Sequence, residues 1–147
     1  MRRGIDRLAR PDAGGSPPVF VLVRVFDRIP DLEVCLDLIR ETWTRGRYEV
    51  VVVSNGRAAG YPVDAAQATP FQLVSLADNA GHILGNAQLL TEGMKRLPPE
   101  CEYVVLLEAD TWLFGDALIQ TVIRRMKQKG WAWSSAAWLD RYHSLAV

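Results

Sequence analysis

The sequence has no excess of charge of either sign, because 17 lysines and arginines balance 17 aspartates and glutamates. A balanced charge gives no electrostatic reason to expect a nucleic-acid partner or an anionic membrane. The chain also lacks an apolar run long enough to span a bilayer, so we expect no transmembrane segment. Its first residues, Met1–Gly4, lack the apolar core that a signal peptide needs.

Cysteine is scarce as well. Cys35 and Cys101 are too few for a disulfide scaffold, and they do not form a CxxC pair. Disulfides are rare in proteins of reducing compartments, so a chain without a disulfide framework is typical of such compartments. We therefore expect a reduced, cytoplasmic setting.

The glycine-rich loops that bind phosphates in the common nucleotide-binding proteins are also missing. No GxGxxG motif follows the first apolar run, Val19–Val25, and the chain contains no P-loop motif. Their absence removes the main support for a dinucleotide-binding or NTPase function.

What the sequence does contain is enough apolar material for one globular domain: 49% of its 147 residues are hydrophobic. Residues 1–18 are rich in arginine and end in glycine and proline, which predicts a flexible tail. We expect residues 19–147 to form the domain.

Strand-like and helix-like segments alternate along this domain. The predicted strands are Val19–Val25, Tyr48–Val53, Phe71–Leu76, Tyr103–Leu107 and Trp131–Leu139. Helical spacing of apolar residues follows Asp31, covers Leu84–Leu97 and follows Gly115. Such alternation predicts βαβ units in a mostly parallel sheet, covered by helices on both faces as a three-layer α/β/α sandwich.

The run Tyr103–Leu107 ends abruptly in Glu108-Ala109-Asp110. Five consecutive bulky residues predict a central strand that is buried on both faces. Carboxylates at the carboxyl end of such a strand can hold Mg²⁺ or Mn²⁺ against a substrate phosphate. The alternative is that both acids are solvated loop residues, or that Asp110 caps a helix.

Four short motifs, each at a predicted strand or helix edge, resemble in their order the GT-A glycosyltransferases, and family 2 most closely. They are Val21–Arg28, Val50–Gly56, Asn79–Asn86 and Leu106–Asp110. They are similar to that family's first strand and turn, its second strand and turn, an asparagine- and glycine-containing helix start, and the DxD strand. The resemblance covers roughly Val19 to Leu139 and implies a GT-A type of sandwich.

The resemblance also implies a site for a nucleotide-diphospho-sugar donor and a divalent cation. Asp110 matches the last acid of the DxD motif, so it would bind Mn²⁺ or Mg²⁺ bridging the diphosphate. Glu108 would contact the ribose or a metal-bound water. The remaining residues would line the nucleotide pocket or shape the loop against it: Phe26, Asp27, Arg28, Asn55, Asn79, Gly81 and Asn86.

Simpler interpretations exist for several of these residues. Asp27 fits a turn, Asn55 fits an Asn-Gly turn, and the asparagines Asn79 and Asn86 fit hydrogen bonds to the local backbone. Gly81 fits loop geometry alone.

Two departures from the family limit the resemblance. Ser54 stands where the family usually has an acid that contacts the base, and the acceptor-binding half with its general base is not matched. We therefore expect the N-terminal, nucleotide-binding half of a metal-dependent glycosyltransferase whose acceptor is unknown. The alternative is a catalytically silent module of the same fold that pairs with itself or another subunit. A nucleotidyltransferase is disfavoured, because the Gly-x-Gly-x-Arg loop of those enzymes is missing.

Overall fold

The structure, a computed structural model, describes residues 18–139 and 142–146. Residues 1–17, where the sequence predicts a tail, lie outside the described residues. Four strands form one parallel sheet: β1 (Val19–Val25), β2 (Tyr48–Ser54), β3 (Gln72–Ser75) and β4 (Tyr103–Glu108). The predicted parallel sheet is therefore confirmed for four of the five predicted strands, whereas the residues predicted as the fifth, Trp131–Leu139, lie outside this sheet.

Three helices connect these strands: α1 (Ile29–Thr42), α2 (Ala65–Ala68) and α3 (His82–Met94). After β4 come the helix α4 (Ala117–Lys129) and an antiparallel hairpin of β5 (Ser135–Leu139) and β6 (Tyr142–Ala146). α1 begins before Asp31, so that acid lies in the first turn and not at the N-cap. None of the helices in the described part of the chain is long and apolar enough to cross a membrane.

The strand order in the sheet is β3-β2-β1-β4. The chain steps outward from β1 through β2 to β3 and then returns to the other side of β1. α1 and α4 pack on one face, around Leu36, Trp43 and Ile119. α3 packs on the opposite face, where Leu89 contacts the cluster of Phe20 and Leu22. Helices on both faces agree with the predicted three-layer arrangement.

The prediction that β4 is a central strand buried on both faces is wrong. Among the residues that the structure describes, β4 pairs only with β1 and lies at the edge of the parallel sheet. Val104 and Leu106 are 37% and 47% exposed, whereas Leu107 on the other face is buried. The physical reason is that α3 lies over β1 and β2 and leaves this face of β4 uncovered.

A glycine lets α3 approach the sheet. A Cβ atom on Gly93 would lie 2.3 Å from Leu22 Cδ1, well inside van der Waals contact. This close approach fixes α3 above β1, and it therefore positions the first turn of α3 at the carboxyl edge of the sheet.

Asp116 joins the start of α4 to the loop that enters β2. Its buried Oδ2 accepts hydrogen bonds from the backbone N–H groups of Arg45 (2.7 Å) and Gly46 (3.0 Å) and from the Tyr48 hydroxyl (2.9 Å). One carboxylate oxygen thus satisfies three donors from a segment 68 or more residues away in sequence.

We expect Asp116→Ala to lower the free energy of unfolding by about 2–4 kcal/mol, because three donors lose a charged acceptor. Urea unfolding followed by circular dichroism would measure the change. Glu41→Ala, which removes an exposed acid on α1, is the control and should change it by about 0.5 kcal/mol or less. Equal stability of the two variants would contradict the role given to Asp116.

Candidate functional site at the carboxyl edge of the sheet

Polar residues follow three parallel strands at one edge of the sheet. Phe26–Arg28 comes after β1, Asn55 after β2, and the turn with Asp110 after β4. The strand order reverses between β1 and β4, and open α/β sheets bind ligands in the crevice at such a reversal. The fold therefore gathers the predicted residues at the edge where a ligand site is expected.

The turn after β4 sends its two acids to different sides of the sheet. The N–H of Thr111 donates to the carbonyl of Glu108 (3.0 Å), so Ala109 and Asp110 are the central residues of a β-turn. In a continuing strand, acids two residues apart would face the same side. Here Glu108 contacts Arg24 on the α3 side, whereas Asp110 lies near Arg28 on the α1 side.

On the α1 side, Arg28 is held by its own helix. Its Nε donates to Asp31 Oδ2 (2.5 Å), and its Nη2 lies 4.0 Å from Asp110 Oδ2. The hydrogen bond to Asp31, and then the charge of that acid, raise the pKa of Arg28. The exposed Asp27 belongs to the same turn.

Asp110 has a carboxylate that remains available to a ligand. Its side chain is 48% exposed, and the Arg28 guanidinium is too distant for a hydrogen bond. Burial raises the pKa of the Cys35 thiol to about 11, and the negative charge of Asp110 adds to that rise. The carboxylate of Asp110 therefore lies on the α1 side of the sheet, close enough to act on Cys35 through its charge.

On the α3 side, Arg24 connects three elements. Its Nη1 donates to Asn86 Oδ1 (2.7 Å), and its Nη2 pairs with Glu108 Oε1. The Arg24 side chain is 14% exposed, whereas that of Glu108 is 51% exposed. The Arg24 guanidinium thus ties the end of β4 and the first turn of α3 to β1.

Asn55 is buried beneath the first turn of α3. Its Nδ2 donates to Asn79 Oδ1 (3.3 Å) and to the carbonyl of Gly85 (3.2 Å). Asn79 Oδ1 also accepts from the N–H of Gly81 (2.9 Å). Asn55 therefore holds the helix start in place, and its buried Oδ1 has no hydrogen-bond partner among the described residues.

Two glycines are required in this helix start. Gly81 has a φ of +88°, which favours glycine. A Cβ atom on Gly85 would lie 2.2 Å from Asn79 Oδ1. The predicted element Asn79–Asn86 is thus folded around the amide pair of Asn55 and Asn79.

Phe26 and Tyr61 form an aromatic contact beside this edge. Their rings meet edge to face at 5.7 Å between centroids. A Cβ atom on Gly56 would lie 1.9 Å from the carbonyl oxygen of Phe26, so the loops after β1 and β2 are in close contact. The half-exposed Tyr61 extends this apolar surface toward solvent.

The predicted site residues thus fall into two groups. Phe26, Asp27, Arg28 and Asp110 lie in the turns after β1 and β4, and Asp110 is on the α1 side. Asn55, Asn79, Gly81, Asn86 and Glu108 form the network on the α3 side. Arg24 is not among the predicted site residues, although a single charge within the apolar run of β1 is a signal that it has a specific partner.

The described residues contain no group of three or more His, Cys, Asp or Glu side chains that could hold a metal ion. Any cation at Asp110 would need most of its ligands from elsewhere. Mg²⁺ and Mn²⁺ are commonly bound in this way, by one or two carboxylates together with substrate phosphates and water.

No family model matches this sequence, and no curated protein matches it.

Proposed function

We propose that this chain is the nucleotide-sugar-binding domain of a metal-dependent glycosyltransferase of the GT-A type. The observation that carries the proposal is the position of Asp110, an available carboxylate beside Arg28 where the strand order reverses between β1 and β4. A donor diphosphate that approaches this edge from solvent would meet a cation held by Asp110 and the guanidinium of Arg28.

The residues at this edge fit a cation that is bound together with a diphosphate. Asp110 is half-exposed and accepts no hydrogen bond from the guanidinium 4.0 Å away, so its oxygen atoms can serve as ligands. A divalent cation there would neutralise the leaving diphosphate as the sugar–phosphate bond breaks. Glu108 fits this role less well, since its Oε1 is already paired with Arg24.

The other residues would orient the donor. The aromatic pair of Phe26 and Tyr61 offers a face for a nucleobase, and Arg28 offers planar donors for phosphate oxygens. Asn55 supports the loop at Gly81 through buried hydrogen bonds and does not itself face the ligand. Transfer also needs a base that activates the acceptor hydroxyl, and a partner or a further segment would supply it.

Isothermal titration with UDP- and GDP-sugars in the presence of Mn²⁺ tests the proposal. We expect the wild-type chain to bind one of them, and Asp110→Asn to weaken that binding roughly tenfold or more, since the cation loses its protein ligand. The control is Asp37→Asn, which removes an exposed acid on α1 that pairs with Arg40. No binding by the wild type, or equal binding by Asp110→Asn, would refute the donor site.

The open edge of β4 favours a second candidate function, a module that pairs with another copy of the chain. The N–H of Ala109 donates inward to Arg24, so by alternation the peptide groups of Val104 and Leu106 point outward. Glu102 and Glu108 flank this edge. Glu102 forms an ion pair with Lys127 (3.6 Å), and Glu108 forms one with Arg24. Two such edges can therefore approach antiparallel without uncompensated repulsion.

If this second function holds, the wild-type chain should form concentration-dependent dimers, and Leu106→Lys should raise the dissociation constant roughly tenfold by placing a charge in the contact. Sedimentation equilibrium would measure it. Val34→Lys changes another exposed apolar residue, on α1, and should have no effect. A wild-type chain that stays monomeric at high concentration would exclude the pairing.

A further inference from the structure

The ion pair between Arg24 and Glu108 lies directly beside the proposed cation site. We propose that Arg24 is a positioning residue, which neutralises Glu108 and holds it on the α3 side so that Asp110 alone serves the donor diphosphate. This inference rests on the proposed donor-binding function and goes beyond it, because it assigns a role to a residue that is not among the predicted site residues.

The contacts of Arg24 restrict its movement. One terminal nitrogen binds Asn86 on α3, and the other binds Glu108 on β4. The planar guanidinium is therefore oriented from two sides, and most of it is buried. Its Nε is also buried, and no described residue forms a hydrogen bond with it, so the side chain extends through the interior and not along the surface.

Neutralisation of Glu108 matters because the two acids belong to one turn. The Cα atoms of residues two apart in sequence lie within about 7 Å of each other, although these two side chains point to opposite sides of the sheet. An uncompensated carboxylate on Glu108 would attract a lone cation and repel the anionic donor. With Arg24 in place, Asp110 is the less compensated acid of the pair, since Arg28 lies 4.0 Å away and is already hydrogen-bonded to Asp31.

A direct contact between Arg24 and the donor phosphates is the competing role. Both terminal nitrogens of Arg24 already have partners within the protein. Arg24 would have to leave both to bind a phosphate. The two roles predict different results when Glu108 is also neutralised, and this difference makes them separable.

The test uses Arg24→Met, Glu108→Gln and the double variant of the full chain. The probes are Mn²⁺ alone, followed by electron paramagnetic resonance, and UDP at saturating Mn²⁺, followed by calorimetry. We expect Arg24→Met to bind Mn²⁺ about three- to tenfold more tightly and UDP more weakly by a similar factor. Glu108→Gln should shift both affinities in the opposite direction, and the double variant should return to within about twofold of the wild type.

Arg40→Met is the matched control, since Arg40 also bridges an acid and backbone carbonyls but lies away from the site. It should leave both affinities unchanged. Weaker UDP binding by Glu108→Gln would overturn the inference by making Glu108 a donor ligand. A double variant that binds UDP as weakly as Arg24→Met would overturn the inference in favour of a direct contact between Arg24 and the donor phosphates. If Arg24→Met does not fold, the direction in which Glu108→Gln changes the UDP affinity still tests the inference.

The failure of the proposed function gives a different pattern. If the wild type and Asp110→Asn bind UDP and Mn²⁺ equally, or not at all, then the donor site is refuted and the role of Arg24 falls with it. If the wild type binds in an Asp110-dependent manner and the variants show no opposite signs, only the inference about Arg24 is overturned.

Discussion

The pairing of β1 on both sides is the constraint from which the rest of the arrangement follows. β1 is hydrogen-bonded in parallel to β2 on one side and to β4 on the other. Val19 at the start of β1 lies opposite Tyr48 of β2 and opposite Tyr103 of β4. The three strands therefore start level and end at the same edge. A shift of one residue in either register would turn every side chain of that strand to the opposite face. The contact of Arg24 with Glu108 exists because those residues are opposite each other in this register.

A buried polar network then fixes what the strands have brought together. Asn55 is buried, so its amide must find partners within the protein, and it finds them in Asn79 and the carbonyl of Gly85. These bonds tie the start of α3 to the end of β2. A loop that is held in this way needs little rearrangement to receive a ligand, which lowers the entropic cost of binding. The same network explains why glycine is needed at Gly85.

The sequence predicts much of this fold, because alternating apolar strands and amphipathic helices carry a strong periodic signal. It also predicts which turns reach the carboxyl edge. It does not predict that β4 is an edge strand, since an apolar run has the same appearance whether one or both faces are covered. The sequence does not indicate the short helix α2, because four residues are too few to show a helical period. The partner of Arg24 depends on register across 84 positions of sequence, which local patterns do not encode.

The position of Asp110 links the two candidate functions. β4 ends at Glu108, and the turn after it carries Asp110 to the α1 side, while the peptide groups of Val104 and Leu106 face away from β1. Any strand that pairs with this open edge would run alongside β4 and reach the turn that holds Asp110. Such a strand would then contribute side chains close to the proposed donor site. The proposed pairing at β4 and the proposed donor binding at Asp110 are therefore compatible, and an added strand is a physical route by which further binding groups could come to this edge.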